Sequence, residues 1–263
     1  MRSLQHSFLF RRRFSVQSYK FVRTEDAATF NAKELFEAKK PVIIKGLALD
    51  WPAVQSWRAD YHKFENMEPN DDCMVRVEIG KNYMSKDVQV AEVDLRSFAQ
   101  FCTASVEKPT SSATNIAARI FLAQCDLPES IKDDVVVPDM TKNTGKGHLY
   151  RMNMWMCGPQ GSESPCHHDP FHNLLCQVFG TKRVVLFPPD EDMNLYPASP
   201  PQTNTSMVDI DDPNLVAHPD FAKARERGEQ AILHRGDALY IPLGYWHYCK
   251  ADSSSCSVNF WWL

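Results

Sequence analysis

From about residue 149 to the C-terminus, short apolar segments alternate with turn signals, and this pattern constrains the fold most. Gly158-Pro159-Gln160-Gly161, Gly180-Thr181 and Pro242-Leu243-Gly244 are turn sequences, because glycine and proline punctuate secondary structure. Between the turns the pattern predicts strands at about 150–157, 165–168, 173–179, 183–187, 207–209, 230–233, 238–241, 245–250 and 255–262. Many short strands preceded by helices predict a mainly β fold with N-terminal helices, built as a double-sheet jelly roll.

The first half of the chain mixes helical and strand patterns. Thr29 is a possible N-cap for a helix that ends before Pro41. Apolar periodicity predicts helices at 29–39 and 93–102 and strands at 41–46 and 73–80. The apolar segment 117–124 fits a buried strand or a buried helix equally well, because so short a run has no distinguishing period.

Residues 1–18 differ in composition from everything that follows. They contain four arginines and four serines, and no acidic residue occurs before Glu25. An Arg-rich, Ser-rich and acid-poor N-terminus is typical of a mitochondrial transit peptide. The alternative is a disordered basic tail or a nuclear signal at 11–13, which would leave the protein in the cytoplasm or the nucleus. Residues 19–263 are expected to form one domain, with a mixed part at 19–148 and a jelly-roll core at 149–263.

Charge and cysteine content exclude several classes of protein. The chain has 29 basic and 33 acidic residues, and residues 1–18 contribute four of the arginines. The remaining body is therefore acidic, which makes a nucleic-acid partner unlikely. Eight cysteines without a C-x-x-C pair indicate neither a disulfide framework nor a structural zinc site. No apolar run approaches the length that crosses a membrane, so no membrane association is expected.

Residue types that bind metals are concentrated at 164–173. If this stretch ends a β-strand, His167 and Asp169 point to one face and His168 to the other. Together with His247, from a distant strand, they would form a 2-His-1-carboxylate triad. Such a triad suits Fe(II) and leaves coordination positions open for other ligands.

Two observations weaken the pattern when it is taken alone. The chain contains a second His-x-Asp sequence, His218-Pro219-Asp220, which we interpret as a surface turn because proline disfavours a central strand. His247 lies between two aromatic residues and could equally be a half-buried core histidine. His172 is expected to be a surface residue or a neighbour of the metal ligands, and His168 a packing residue.

Lys182 sharpens the metal hypothesis. It follows the Gly180-Thr181 turn and begins an apolar run, so it would lie at the mouth of the barrel. A lysine there can pair with a carboxylate, and 2-oxoglutarate needs such a partner while its keto-acid end chelates iron. Ser164 and Asn173 flank the metal motif and could supply hydrogen bonds. The alternative for Lys182 is an ordinary hairpin lysine that protects an exposed edge.

The order of these motifs resembles that of the JmjC oxygenases, and it does so from about residue 40 to the C-terminus. Within that family it is most similar to the small hydroxylases related to an arginyl hydroxylase that was long described as a histone lysine demethylase. The N-terminal motifs are Pro41-Val-Ile-Ile-Lys-Gly46 with Trp51-Pro52 and Val77-Glu78-x-Gly80-x-x-Tyr83. The motifs of the second half are Gly158-Pro-Gln-Gly161, Ser164-Pro165-x-His167-x-Asp169-Pro170-x-x-Asn173, Gly180-x-Lys182, Leu195-Tyr196-Pro197, Asn204-Thr-Ser206, Val208-Asp209, Ile241-Pro242-x-x-Tyr245-Trp246-His247-Tyr248 and Phe260-Trp261-Trp262.

The resemblance implies a fold and a set of ligands. The fold would be the double-stranded β-helix, a distorted jelly roll of the cupin-like superfamily. Fe(II) would bind to His167, Asp169 and His247, and O₂ would react there. The cosubstrate 2-oxoglutarate would bind to Lys182, with Ser164 and Asn173 in contact with it.

The resemblance also implies roles for aromatic and substrate-binding positions. Phe121 stands where the branch typically has a tyrosine, so one hydroxyl to the cosubstrate is missing. Trp261, Trp246 and Tyr248 are expected to form apolar walls around the site, with Trp261 beside the cosubstrate. Glu78 and Tyr83 match positions that line the substrate cleft. The alternative for Glu78 is an exposed strand residue paired with a nearby lysine or arginine.

The function expected from the sequence is therefore a dioxygenase dependent on Fe(II) and 2-oxoglutarate. Its partner would be a protein or peptide with an arginine or lysine side chain, which is hydroxylated with release of succinate and CO₂. Lysine demethylation, tRNA hydroxylation and a non-catalytic binding protein remain alternatives. The oligomeric state does not follow from the sequence.

Overall fold

The computed structural model describes residues 19–67, 73–107 and 119–263, so the proposed targeting segment 1–18 lies outside the described residues. The strands of the first half are β1 (Lys20–Phe21), β2 (Thr24–Asp26), β3 (Val42–Lys45), β4 (Met74–Ile79), β5 (Gln89–Asp94) and β6 (Ile120–Asp126). The strands of the second half are β7 (Leu149–Cys157), β8 (Ser162–His167), β9 (His172–Phe179), β10 (Lys182–Phe187), β11 (Glu229–Leu233), β12 (Ala238–Ile241), β13 (Trp246–Ala251) and β14 (Ser255–Trp262). The helices are α1 (Ala32–Ala38), α2 (Pro52–Ser56), α3 (His62–Glu65), α4 (Leu95–Glu107), α5 (Met140–Asn143) and α6 (Phe221–Arg227), with 3₁₀ segments at Glu129–Asp134 and Pro189–Leu195.

Strands β7 to β14 form two facing four-stranded sheets in jelly-roll order. One has the order β8-β13-β10-β11 and the other β7-β14-β9-β12, and all their pairings are antiparallel. This arrangement confirms the predicted jelly roll. N-terminal strands extend both sheets. In the large sheet β6, β4 and β5 continue beyond β7, and β3 and β2 continue beyond β12.

Apolar layers on both faces of the large sheet hold it in place. Between the sheets lie aliphatic side chains such as Val184, Leu186 and Leu239. On the outer face of the large sheet the N-terminal helices pack around Trp57 and Trp262. Because β14 is covered on both faces, all eight of its residues are buried, as expected for a strand inside a layered fold.

Two predicted boundaries were wrong for local hydrogen-bonding reasons. The first helix is capped by Asn31 rather than Thr29, because the Asn31 Oδ1 accepts from the backbone N–H groups of Lys33 and Glu34 at 3.1 and 3.2 Å. No strand forms at 207–209. The Val208 N–H donates to the Ser206 Oγ, and the Asp209 carboxylate accepts from the N–H groups of Asp211 and Asp212. These backbone N–H groups are therefore bonded to side chains and not available to a neighbouring strand.

The undecided segment 117–124 contributes the strand β6, which pairs with β4 and β7. Strand β5 was not predicted, and it runs directly into the second predicted helix, α4. None of the helices that the structure describes is long and apolar enough to cross a membrane.

The Gly180 turn, which delivers Lys182 to the start of β10, should tolerate no side chain. Gly180 has φ +74°, and an added Cβ would lie 2.2 Å from the Ser254 carbonyl oxygen. Gly180→Ala should therefore lower the free energy of unfolding by about 3 kcal/mol or more, because the backbone must shift as well as adopt a left-handed conformation. Urea unfolding followed by circular dichroism measures this.

Gly244→Ala is the matched control for that substitution. Gly244 has φ +77°, but the nearest atom to an added Cβ is 3.8 Å away, on Pro189. Its cost should be about 1 kcal/mol, from the backbone conformation alone. Equal losses in the two variants would show that the close contact at Gly180 does not constrain the turn.

Candidate metal centre and substrate groove

His167, Asp169 and His247 come together at one end of the jelly roll. One potential ligand atom from each lies within 4.8 Å of the other two. The Asp169 carboxylate is close to both rings, with one oxygen 4.0 Å from the His167 Nε2 and the other 3.6 Å from the His247 Nε2. The structure therefore gathers the three residues predicted to be a triad into a group that could hold one metal ion.

Strand pairing, rather than simple alternation along one strand, positions these groups. His167 on β8 is directly opposite His247 on β13, whereas Ser164 is opposite Cys249. Three residues on β8 thus span two on β13, which is a β-bulge. The bulge lets Ser164 and His167 face the same interior.

The prediction that Asp169 shares a strand with His167 was wrong. Strand β8 ends at His167, and Asp169 lies in the turn that follows. Its carbonyl oxygen accepts a hydrogen bond from the Gly244 N–H at 3.2 Å. This contact ties the Asp169 turn to the turn that leads into His247.

Both histidine rings are oriented for metal binding. The His167 Nδ1 lies 2.8 Å from the Pro165 carbonyl oxygen, and the His247 Nδ1 lies 3.0 Å from the Tyr245 carbonyl oxygen. A carbonyl oxygen only accepts, so each Nδ1 carries the proton and each Nε2 lone pair is directed toward the centre. Burial lowers the pKa of His247 to about 4, with a further contribution from His167. The His247 ring is therefore neutral, as a ligand must be.

A narrow inner cavity connects the triad to Lys182. Lys182 is 7% exposed, and no carboxylate of a described residue lies within ion-pair distance of it. A buried cation without an anionic partner is costly. The cavity measures about 30 Å³ and shares five lining residues with a larger outer groove, so a ligand larger than water would extend from one into the other.

A chain of amides fixes the polar wall of this cavity. The Asn259 Nδ2 donates to the Asn173 Oδ1 at 3.0 Å, while the Asn259 Oδ1 accepts from the Trp155 Nε1 at 2.8 Å. Because its oxygen is engaged, Asn173 keeps its N–H₂ group available to donate. Ser164, Asn173 and Trp261 all line the cavity as predicted. Phe121 instead lines a small adjoining space that also contacts Lys182.

The outer groove has a volume of about 1070 Å³ and contains both predicted substrate residues. Glu78 is 7% exposed, and its Oε2 finds no hydrogen-bond partner among the described residues. Its cross-strand neighbours, Val90 and Phe121, are apolar. Burial raises the pKa of Glu78, and the Arg76 guanidinium offsets part of the effect. The alternative of an exposed, ion-paired Glu78 was therefore wrong.

Tyr83 also lines the groove. Its hydroxyl is 3.3 Å from the Thr205 Oγ1, and its ring meets His167 edge-on with centroids 6.4 Å apart. Burial raises the pKa of Tyr83 to about 12. The groove is thus lined by two metal-centre residues, His167 and Asp169, as well as by Tyr83 and Glu78.

Several other predicted neighbours lie elsewhere. Trp246 and Tyr248 belong to the apolar cluster on the outer face of the small sheet, because alternation along β13 turns His247 and Cys249 inward. His168 packs edge-on against Trp246 with ring centroids 4.7 Å apart, as a packing residue would. His172 is half-buried in β9 and accepts from the Leu243 N–H at 3.3 Å, so the prediction of a surface position was wrong.

The sequence reasoning missed five residues of the cavity wall: Trp155, Leu175, Ile241, Cys249 and Asn259. A signal for Asn259 exists in the pattern of β14. Polar Ser257 and Asn259 alternate there with apolar Val258 and Phe260, although the strand is buried on both faces. Polar residues on one face of a fully buried strand indicate an internal polar site.

Comparisons with known proteins agree with this architecture. The model of the cupin-like domain family matches residues 27–263. Jumonji C domain-containing protein 5 of Drosophila melanogaster is 36% identical over 235 residues, which cover 86% of this chain and 55% of that protein. Lysine-specific demethylase 8 of Danio rerio is 33% identical, with 87% and 54% covered.

A more distant relative has a name that refers to tRNA rather than to lysine demethylation. The tRNA wybutosine-synthesizing protein 5 of Homo sapiens is 25% identical, with 88% of this chain and 73% of that protein covered. The chain spans about half the length of the first two relatives.

The metal centre predicts a specific loss of metal affinity. His167→Ala and His247→Ala should each weaken Mn²⁺ or Fe²⁺ binding by more than about a hundredfold, since even the outer partners of metal ligands contribute up to that factor. Calorimetric titration under argon measures the affinity.

His218→Ala is the matched control for the metal titration. It removes a histidine from the second His-x-Asp sequence, which lies outside the triad. Its metal affinity should equal that of the wild type. A wild-type affinity in folded His247→Ala protein would contradict the assignment of the centre.

Proposed function

Since the chain belongs to the cupin-like family of JmjC domains, we propose that it is an Fe(II)- and 2-oxoglutarate-dependent oxygenase that hydroxylates an arginine or lysine side chain of a protein. The observation that carries the proposal is the buried Lys182, which has no carboxylate partner among the described residues and shares one cavity with the triad. A buried cation without a partner fits an anionic ligand. A ligand held there by its far carboxylate would reach toward the metal.

The residues present fit both groups. Two imidazoles and a carboxylate are the donor set that suits Fe(II) and leaves coordination positions open. When bound, Fe(II) and 2-oxoglutarate supply the oxidising chemistry, in which O₂ is consumed, succinate and CO₂ are released, and one oxygen atom enters a substrate C–H bond.

The chain itself supplies orientation and exclusion of water. Lys182 neutralises the far carboxylate, and the free Asn173 N–H₂ group and the Ser164 hydroxyl are positioned to donate to the ligand. The carbonyl oxygens of Pro165 and Tyr245 keep the two imidazoles in the tautomer that coordinates. Apolar side chains close the rest of the cavity, namely Trp155, Leu175, Ile241 and Trp261.

Glu78 is the feature that supports a cationic substrate. Its unpartnered oxygen lies in the groove that also contains His167 and Asp169. A guanidinium or ammonium group would give that oxygen a charge-assisted hydrogen bond. Pairing would also remove the cost of an isolated buried carboxylate. The target carbon would then lie near the metal, between Glu78 and Tyr83.

Demethylation of a methylated lysine would begin with the same hydroxylation, on the methyl carbon. The name of the Danio rerio relative motivates its inclusion in the test. Peptides with central arginine, lysine or methylated lysine should be incubated with the iron-loaded protein, 2-oxoglutarate and air. Mass spectrometry distinguishes the gain of an oxygen atom from the loss of a methyl group, and succinate is measured in parallel.

We expect the gain of one oxygen atom on an arginine or lysine peptide, with an equal amount of succinate. His167→Ala serves as the inactive control. If the only product is a methylated-lysine peptide that has lost a methyl group, the proposed reaction is demethylation rather than hydroxylation of arginine or lysine. No peptide product and no succinate above that control would contradict the oxygenase proposal.

Phe121→Tyr should tighten 2-oxoglutarate binding. Phe121 contacts the same small space as Lys182, so a hydroxyl there can donate to the far carboxylate. A hydrogen bond to a charged group contributes about 1.5–3 kcal/mol, so an increase in affinity of at least about tenfold is expected. Calorimetry with Mn²⁺-loaded protein measures it. Phe171→Tyr, outside this space, is the control, and equal affinities in both variants would contradict the placement of the carboxylate.

Glu78 should make binding of a basic peptide dependent on pH. Its raised pKa means that protonation begins at a higher pH than for an ordinary glutamate, and protonation abolishes the ion pair. The KM for the peptide should therefore rise as the pH falls through the raised pKa of Glu78.

Glu78→Gln should raise the KM and remove this pH dependence. Glu92→Gln, a substitution on the same groove opposite Arg76, is the control and should keep the wild-type profile. A pH profile that is identical in Glu78→Gln and wild type would contradict the role of Glu78.

A further inference from the structure

Glu163 is a buried carboxylate on a strand that borders the metal centre. It precedes Ser164 on β8, which is an edge strand of the small sheet. Ser164 faces the cavity, so Glu163 faces outward, yet only 6% of it is exposed. Something from outside the jelly roll must therefore cover it.

The cover is the segment that follows β4. The Asn82 Nδ2 donates to the Glu163 Oε1 at 2.8 Å, and the Lys81 Nζ lies 3.6 Å from the same oxygen. The Arg119 Nη1 is 3.7 Å from the Glu163 Oε2. Lys81 also pairs with Asp209 at 2.9 Å. We call Lys81, Asn82, Arg119, Glu163 and Asp209 the Glu163 cluster.

Asn82 links the Glu163 cluster to a tight turn. Its Oδ1 accepts from the Met84 N–H at 3.1 Å, and its own N–H donates to the Ser85 Oγ at 3.3 Å. The Gly80 N–H donates to the Arg119 carbonyl oxygen at 2.9 Å. Residues 80–85 are thus fixed at both ends, and Tyr83 projects from the middle.

Tyr83 connects this turn to the metal centre through side-chain contacts. Its hydroxyl meets Thr205, and Thr205 forms a β-bridge with His167. The Tyr83 ring also meets the His167 ring. A displacement of residues 80–85 would therefore move Tyr83 within the groove that also contains Glu78.

From these contacts we propose that Glu163 is a positioning residue that seats residues 80–85 against the edge of β8 and holds Tyr83 at the mouth of the metal centre. The width of the groove between Tyr83 and Glu78 then depends on a residue that touches neither the metal nor the substrate. The consequence for substrate choice rests on the proposed function, whereas the positioning itself does not.

The energetics favour a positional role over a stabilising one. Burying a carboxylate and its cationic partners costs desolvation energy that their attraction only partly repays. An apolar residue at 163 could cover the edge of β8 without this cost. The ion pairs and the Asn82 hydrogen bond instead specify one arrangement of the turn, because a shifted turn would leave Glu163 buried and unpaired.

Glu163→Gln is the test substitution, because it removes the charge but keeps an oxygen for Asn82. Its matched control is Glu191→Gln. Glu191 is also a buried glutamate, at 3% exposure, and it is bonded to one asparagine and one arginine. Glu191 lies in the 3₁₀ segment Pro189–Leu195, and its two partners belong to that segment and to α6 rather than to residues 80–85.

Amide hydrogen exchange of the full chain is the first measurement. In Glu163→Gln the amides of 80–88 should exchange at least about tenfold faster, which corresponds to about 1.4 kcal/mol of lost local stability. Those of β9 and β14 should keep the wild-type rate, and Glu191→Gln should leave 80–88 unchanged. Unchanged protection of 80–88, or an equal loss throughout the chain, would overturn the proposal.

A signal from Tyr83 itself is the second measurement. Fluorotyrosine is incorporated throughout the chain, and the ¹⁹F resonance of Tyr83 is assigned by its absence in Tyr83→Phe. The resonance should shift or broaden in Glu163→Gln and stay in place in Glu191→Gln. If Glu163→Gln does not fold, Lys81→Ala, at a half-exposed site, should produce the same change to a smaller degree.

Catalysis supplies a third readout once a substrate peptide is known. Glu163→Gln should raise the KM for the peptide about tenfold and leave the KM for 2-oxoglutarate unchanged, because only the outer groove is altered. In a Tyr83→Ala background the same substitution should have no further effect. A Tyr83 ¹⁹F resonance that does not change in Glu163→Gln would contradict the proposal that Glu163 positions Tyr83. Absence of turnover in every variant, including the wild type, would contradict only the proposed function.

Discussion

The pairing of β8 with β13 is the constraint on which the site depends. It sets His167 opposite His247 and, through one bulge, Ser164 opposite Cys249. The inward face of these two strands then carries metal ligands and cavity residues, while the outward face carries Trp246 and Tyr248 into a separate apolar cluster. A register shift by one residue would exchange the two faces. The turn at Asp169 completes the triad because its backbone bonds to the turn before His247.

Three buried charges around this pairing have different partners, and the difference indicates what each one does. Lys182 faces the inner cavity without a carboxylate, and Glu78 faces the groove with one oxygen unbonded. Glu163 is surrounded by donors and cations. Unsatisfied buried charges reduce stability and are retained where a ligand supplies the partner. A satisfied one specifies a conformation. Under the proposed function, Lys182 recognises the cosubstrate, Glu78 recognises the substrate, and Glu163 positions a wall of the groove.

Local patterns in the sequence predicted the jelly-roll strands and the three residues that the fold gathers into the triad. Both predictions rest on alternation and turn chemistry, which are short-range properties. They did not predict the bulge at 165–166, so the reasoning that put His167 and Asp169 on one strand reached the right pair by a wrong route. Trp246 and Tyr248 were misplaced although alternation along β13 directs them away from the site once His247 faces it. The Glu163 cluster was beyond sequence reasoning, since it joins residues that are far apart in the chain and close only in the fold. Glu78 and Tyr83 came from family resemblance, and the structure adds the unbonded oxygen and the contact with Thr205.

We propose that one cavity holds Fe(II) and 2-oxoglutarate together. The most direct measurement is anaerobic titration of 2-oxoglutarate into the Fe(II)-loaded protein, followed by visible absorption spectroscopy. The account predicts a weak charge-transfer band that saturates with 2-oxoglutarate, and a weaker affinity for 2-oxoglutarate in Lys182→Met at unchanged iron content. Folded, iron-loaded wild-type protein that develops no band at any 2-oxoglutarate concentration would contradict the account.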